Sequence, residues 1–104
     1  MLIIDLHLKG NLVIVVGSGN EGMKKVSSLL TQNCEILVIS SGSNPQITKY
    51  VKEGKIRFKK IKLENAEFLL KYKPYLVMAT TTDKVLNRKI VELAKKMKAY
   101  AYAS

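Results

Sequence analysis

One cysteine and one histidine supply the only thiol and the only imidazole in this 104-residue chain. A lone Cys34 cannot close an internal disulfide, which points to a reducing cytoplasm. Together with His7 it cannot furnish a closed zinc site, and no metal site is expected. No apolar run approaches the roughly 18 residues that a membrane span requires, so no membrane partner is expected. The opening MLIIDLHLKG carries an acid early and lacks a basic region, and does not read as a signal peptide. Acids are scarce throughout: eight Asp and Glu stand against eighteen Lys and Arg, a formal net charge of +10. That balance suits a polyanionic partner, whether nucleic acid, a dinucleotide or a polycarboxylate small molecule, and equally a solvated basic face. The lysines are scattered and no aromatic-interleaved basic patch appears, which disfavours nucleic acid.

What the chain does have is alternation. Leu12–Val16 is a short, wholly apolar run bounded by Asn11 and Gly17, as in a strand buried on both faces. Met23, Val26, Leu29 and Leu30 then fall on one face of a helix. Ile36–Ile39 reads as a second buried strand. Asn44 and Pro45 supply an N-cap and a first helical position, and Gly54 a stop. In IRFKKIKL the partial alternation turns Ile56, Phe58 and Ile61 inward and the lysines outward, a strand nearer the sheet edge. A short helix is expected over Asn65–Lys71, a fourth strand over Tyr75–Ala79, a helix from Asp83 to Met97 and a fifth strand in AYAYAS. No repeat or linker interrupts the pattern, so residues 1–104 read as one domain. Strands alternating with helices, the central ones apolar throughout, predict an α/β, Rossmann-like parallel sheet of about five strands with helices on both faces.

Gly17, Gly19 and Gly22 fit G-x-G-x-x-G at the junction of the first strand and first helix. In that setting the first glycine permits a tight turn, the second lets backbone approach a pyrophosphate, and the third lets the helix pack on the strand. The helix N-terminus adds N–H groups and a positive partial charge. A nucleoside-triphosphate loop would need Lys and Ser or Thr straight after its last glycine, where this chain has Met23. A ligand-free tight turn is the bland alternative. The acid that often holds an adenosine ribose after the second strand is missing, because that position reads Ile39-Ser40-Ser41-Gly42. Serine hydroxyls could bond a ribose or tolerate a 2′-phosphate.

Three stretches together resemble one family. LKGNLVIVVGSGNEGMKKV, with its Lys24-Lys25 pair, is similar to the opening of the siroheme synthase N-terminal domain family, which comprises precorrin-2 dehydrogenases and sirohydrochlorin ferrochelatases. Glu53-Gly54-Lys55-Ile56 resembles its second stretch, and ATTTDKVLNRKI its third, with Thr81, Asp83, Asn87 and Ile90 in register. The resemblance implies binding of NAD and oxidation of the anionic tetrapyrrole precorrin-2 to sirohydrochlorin, with iron insertion in some members. It implies that Gly17, Ser18, Gly19, Asn20, Glu21 and Gly22 line the pyrophosphate. Ser40 and Ser41 would then sit by the adenosine ribose, and Thr80, Thr81 and Thr82 by the ribose-nicotinamide side. The family's catalytic Asp segment would begin just past Ser104, so the chain looks C-terminally truncated and no residue present is assigned the catalytic step. A homodimer is compatible with the resemblance. The alternative is a small Rossmann ligand-sensing domain that binds a nucleotide without catalysis.

Other singled-out residues have structural readings beside the functional ones. Asp83 suits a helix cap, His7 a surface site and Cys34 a small buried hydrophobe. Lys59, Lys60 and Lys62 suit a solvent-facing strand edge, and Tyr100 and Tyr102 packing on one strand face.

Overall fold

The computed structural model describes residues 7–104. The first six residues, which the signal-peptide reading included, lie outside the described residues. Five strands form one all-parallel sheet: β1 (Leu12–Val16), β2 (Glu35–Ser40), β3 (Arg57–Lys60), β4 (Leu76–Ala79) and β5 (Tyr100–Ala103). Their order is β3-β2-β1-β4-β5, so the chain reverses direction of growth between β1 and β4. The helices are α1 (Asn20–Leu29), α2 (Pro45–Lys52) and α3 (Lys84–Lys96). The Rossmann-like α/β architecture expected from the alternation is the one observed.

The central strand explains the layering. Successive side chains of a strand point to opposite faces, and every residue of Val13–Val16 is fully buried. Val13 and Val15 join Met23, Val26, Leu29 and Ile47 beneath α1 and α2. Ile14 and Val16 join Leu69, Leu86, Ile90 and Ala94 beneath α3. Each such side chain contributes about 1.5–3 kcal/mol by leaving water, and both faces need a helical cover to collect it. Parallel pairing follows, because each strand is reached by a crossover through one of those layers.

β3 is an edge strand, as its lysines suggest: Arg57, Lys59 and Lys60 are exposed and Phe58 is half-buried. Such charges discourage edge-to-edge association. The three apolar residues expected to face inward together do not share a face. Ile56 and Phe58 pack under α1 and α2, whereas Ile61, an odd number of residues away, packs on the α3 side.

The expected helix over Asn65–Lys71 is instead a five-residue 3₁₀ turn, Glu67–Lys71. Asn65 Oδ1 accepts from the Glu67 N–H at 2.9 Å, and Leu69 and Tyr72 N–H groups bond three residues back. Pro74 follows too soon for an α-helical ladder to develop. Leu30 ends α1 as its half-buried cap residue and packs against the same core cluster as Met23, Val26 and Leu29. Cys34 is likewise only partly buried, its Sγ 3.7 Å from the Leu29 carbonyl. That burial pushes the thiol above its ordinary pKa. No helix among the described residues is long and apolar enough to cross a membrane.

Candidate functional site

The carboxyl ends of β1, β2 and β4 meet at the point where strand order reverses, which in open α/β sheets is where a ligand crevice forms. A cleft of about 190 Å³ opens there. Its walls are Gly17, Ser18 and Gly19 after β1, Ser40 and Ser41 at β2, Thr80, Thr81 and Thr82 after β4, and Leu63 from the segment after β3. A wider groove of about 910 Å³ shares Ser18 and Gly19 with it and runs between α1 and α2 past Asn20, Met23 and Asn44. The cleft alone is smaller than the roughly 300–1,000 Å³ usual for small-molecule sites, whereas the adjoining groove lies within that range.

The three glycines do different work. Gly17 has φ +114°, a conformation that side chains rarely adopt, and a Cβ there would lie 2.7 Å from Thr80 Oγ1. A Cβ on Gly22 would meet the Gly17 carbonyl oxygen at 2.5 Å and Thr80 Oγ1 at 2.9 Å. These two positions let α1 start hard against the ends of β1 and β4. Gly19 is the opposite case: it is exposed, its φ is an ordinary −80°, and a Cβ would meet nothing within 4 Å. The open space beside it is where another molecule can approach the backbone.

Gly19 is also the N-cap of α1, and no side chain among the described residues caps that helix. The first-turn N–H groups therefore lack a side-chain acceptor, and the helix dipole places positive charge at the same spot. Met23 N–H begins the ladder by donating to the Gly19 carbonyl at 3.0 Å. An unfilled helix start of this kind, at the end of a buried strand, accepts phosphate oxygens.

The hydroxyls around the cleft are largely committed. Ser40, buried, donates to Ser18 Oγ at 2.8 Å and accepts from the Gly42 N–H at 3.3 Å. Thr80, also buried, donates to the Val16 carbonyl at 2.8 Å. Thr81 Oγ1 donates to Asn87 Oδ1 at 2.6 Å, while Asn87 Nδ2 donates to the Thr81 carbonyl at 2.9 Å. Ser41 and Thr82 are exposed.

Of the residues singled out from the sequence, Gly17, Ser18, Gly19, Ser40, Ser41, Thr80, Thr81 and Thr82 thus come together. Asn20 lines the adjoining groove, Gly22 lies buried beneath the turn, and exposed Glu21 turns to Lys24 at 3.5 Å. Asp83 caps α3, accepting from the Leu86 N–H at 3.0 Å. Lys25 lies 4.6 Å from the ring centroid of Tyr102, while Tyr100 meets Tyr75 edge-on with centroids 5.3 Å apart. His7 is exposed, its N–H donating to the Tyr75 hydroxyl at 2.9 Å.

Three residues take a part in the site that the sequence does not assign to them. Asn44 caps α2 as expected, accepting from Ile47 N–H at 2.9 Å, but its amide also donates to the Ser18 carbonyl at 2.9 Å and so steadies the glycine turn. Asn87, 1 % exposed, anchors the loop after β4; a polar residue on the apolar face of α3 was the available signal. Leu63 supplies the apolar wall of the cleft, and nothing local in the sequence marks it.

Comparison with known proteins agrees with this fold. A family described as "Putative NAD(P)-binding" matches residues 4–103. A precorrin-2 dehydrogenase of Bacillus subtilis (strain 168) is 21% identical over 94 residues, covering 90% of this chain and 56% of its own length. A siroheme synthase of Nitrosococcus oceani is 31% identical over 91 residues, covering 88% of this chain and 19% of its own. Among solved structures, SirC, a precorrin-2 dehydrogenase, superimposes with a TM-score of 0.73 at 26% identity, over 86% of this chain and 44% of that one. The chain thus spans little more than half the length of the first of these relatives and about a fifth of the second.

Proposed function

The chain belongs to this NAD(P)-binding family, that of the siroheme synthase N-terminal domain, and on that premise we propose that it is the dinucleotide-binding part of a precorrin-2 dehydrogenase. The reaction is a two-electron oxidation in which precorrin-2 loses a hydride and a proton and becomes sirohydrochlorin. NAD⁺ supplies the hydride acceptor.

The observation that carries the reading is the bare start of α1, with Gly19 open to approach, at the sheet's switch point. The backbone from Gly17 to Gly22 holds the pyrophosphate by N–H donation. Ser41 faces the adenosine ribose, with Ser40 behind it fixing the turn through Ser18. Thr81 and Thr82 border the ribose-nicotinamide side, and Asn87 holds that loop in place. The Thr80 hydroxyl is bound to the Val16 carbonyl, so its part is to close α1 onto the strands. A surplus of ten positive charges favours a polycarboxylate tetrapyrrole near the surface. A reducing cytoplasm is the compartment that fits one half-buried free thiol.

Calorimetric titration with NAD⁺ tests the reading, with Gly19→Val as the control. Micromolar-range binding lost in the variant is the expected result. Equal binding by the two proteins would remove the pyrophosphate from the glycine turn.

A further inference from the structure

We propose that the free edge of β5 takes up an extended acidic segment of another polypeptide as an added strand. The sheet has two edges, β3 and β5, and they are built differently. β3 guards its edge with Arg57, Lys59 and Lys60 on the strand itself. β5 is Tyr-Ala-Tyr-Ala, with no charge or proline of its own. An uncharged edge of this kind is a template for strand addition.

The ladder fixes which backbone groups of β5 are unpaired. The Tyr100 and Ser104 N–H groups donate to the Tyr75 and Ala79 carbonyls at 2.9 and 3.1 Å. Backbone direction alternates along a strand, so the N–H and C=O groups of Ala101 and Ala103 point away from β4. These are the groups that a further strand bonds. Side chains alternate as well: Ala101 packs on the α3 side and Tyr102 on the α1 side. The small alanines leave a groove of about 450 Å³ between β5 and α3.

That groove sets the chemistry of its occupant. Lys84, Arg88 and Lys95 line it from α3 around Val91, and Glu92 is the one acid among them. Among the described residues, none of these four charged groups takes part in an ion pair. Lys84 Nζ donates to the Ser104 carbonyl at 3.0 Å and so reaches the carboxyl end of β5. From Lys84 to Lys95 the helix rises about 16 Å, the length of about five residues of strand. Lys84 and Arg88 lie about 6 Å apart along the axis, close to the roughly 6.7 Å between alternate residues of a strand. Carboxylates at every second position therefore meet the cations, while the residues between them face half-buried Tyr102 and exposed Tyr100. A second copy of this chain fits poorly, because pairing β5 with β5 brings two basic stripes together. An acidic strand meets no such repulsion, and the net charge of +10 steers it in.

The test is calorimetric titration of the full chain with an end-blocked peptide of about seven residues alternating Glu and Val, beside one alternating Lys and Val. The acidic peptide should bind and the basic one should not, and salt should weaken the binding. Ala101→Pro removes an edge N–H without touching the β4 ladder, and should weaken binding at least about tenfold. Arg88→Glu, exposed on α3, should weaken it by a similar factor. Amide shifts on binding should centre on Ala101 and Ala103, and these decide the matter if the proline variant fails to fold. Absence of binding by the acidic peptide overturns the inference. So does binding that survives Ala101→Pro in a folded protein, or shifts that leave β5 untouched, since either leaves a charged groove without an added strand. A dimer in sedimentation that Ala101→Pro breaks overturns it as well, by giving the edge to a second copy.

Discussion

Two strand-to-helix turns flank the switch point, and they satisfy their backbone groups in opposite ways. After β4, the chain closes upon itself: Asp83 caps α3, Thr81 and Asn87 exchange hydrogen bonds across the loop, and Thr80 donates to β1. After β1, the turn is built from glycines, and the helix that follows starts without a side-chain cap among the described residues. The first arrangement stabilises the protein in isolation. The second leaves donors and space for a molecule that is not part of the chain. Adjacent turns of one sheet therefore differ in how their backbone groups are satisfied, and that difference marks the candidate site better than cavity size does. The wider groove leads away between α1 and α2, whereas the smaller cleft sits on the strand ends.

The contrast can be broken from either side. Gly19→Val should weaken dinucleotide binding by about a hundredfold or more, near 2.7 kcal/mol. Its folding cost should stay within about 1 kcal/mol, because the position is open and extended. Calorimetry and thermal melts of the same sample would separate these; a variant that lost both equally would make Gly19 a structural residue. Gly22→Ala reverses the pattern. Its Cβ would press on the Gly17 carbonyl at 2.5 Å, so urea unfolding should show a loss of roughly 1–3 kcal/mol. An unaltered midpoint would mean that the turn relaxes freely.

On the other turn, Asn87→Ala should cost about 1–3 kcal/mol by stranding the Thr81 N–H and carbonyl. It should also loosen the loop, read as faster amide exchange at Thr81 and Thr82. Unchanged exchange there would show that the loop is held by something else. Asp83→Ala should lower stability by about 1 kcal/mol without altering dinucleotide affinity. A clear loss of affinity in that variant would give Asp83 a part in binding. The smallest effect sharpens the comparison most. Gly19→Asp would give α1 the kind of cap that α3 has, raising stability by a few tenths of a kcal/mol while weakening binding. Tighter binding in that variant would contradict a phosphate at this helix start.

Much of the fold was legible because apolar runs without alternation have one comfortable place, the middle of a parallel sheet covered on both faces. LVIVV and the ILVI of Ile36–Ile39 announce themselves in this way, and Asn44-Pro45 and Asp83 mark helix starts by their own chemistry. The 3₁₀ turn was misread because the apolar spacing in Phe68, Leu69 and Tyr72 also suits an α-helix. The segment's N–H groups bond three residues back rather than four, which makes it a 3₁₀ turn. Ile61 faces inward as its apolar side chain suggests, but in the other layer, because the strand ends at Lys60 and the chain after it crosses over.

The candidate site was half legible. Its glycines carry a local signature, since a turn that demands φ +114° and close backbone contact restricts its own residues. The partners did not. Ser18 with Ser40, Asn44 with Ser18 and Thr80 with Val16 are separated by 22, 26 and 64 residues, and no pattern in the chain pairs them.

The sequence by itself determined which segments are strands, where the three α-helices begin, and that one turn is built from glycines, because these depend on local sterics, capping and burial period. Tertiary structure decided which strand ends meet and which hydroxyls remain free. Placing β4 beside β1 brings Thr80 against the glycine turn, and placing β3 beside β2 brings Lys60 level with Ser40. Strand order is set by the packing of whole layers, and no residue carries it alone.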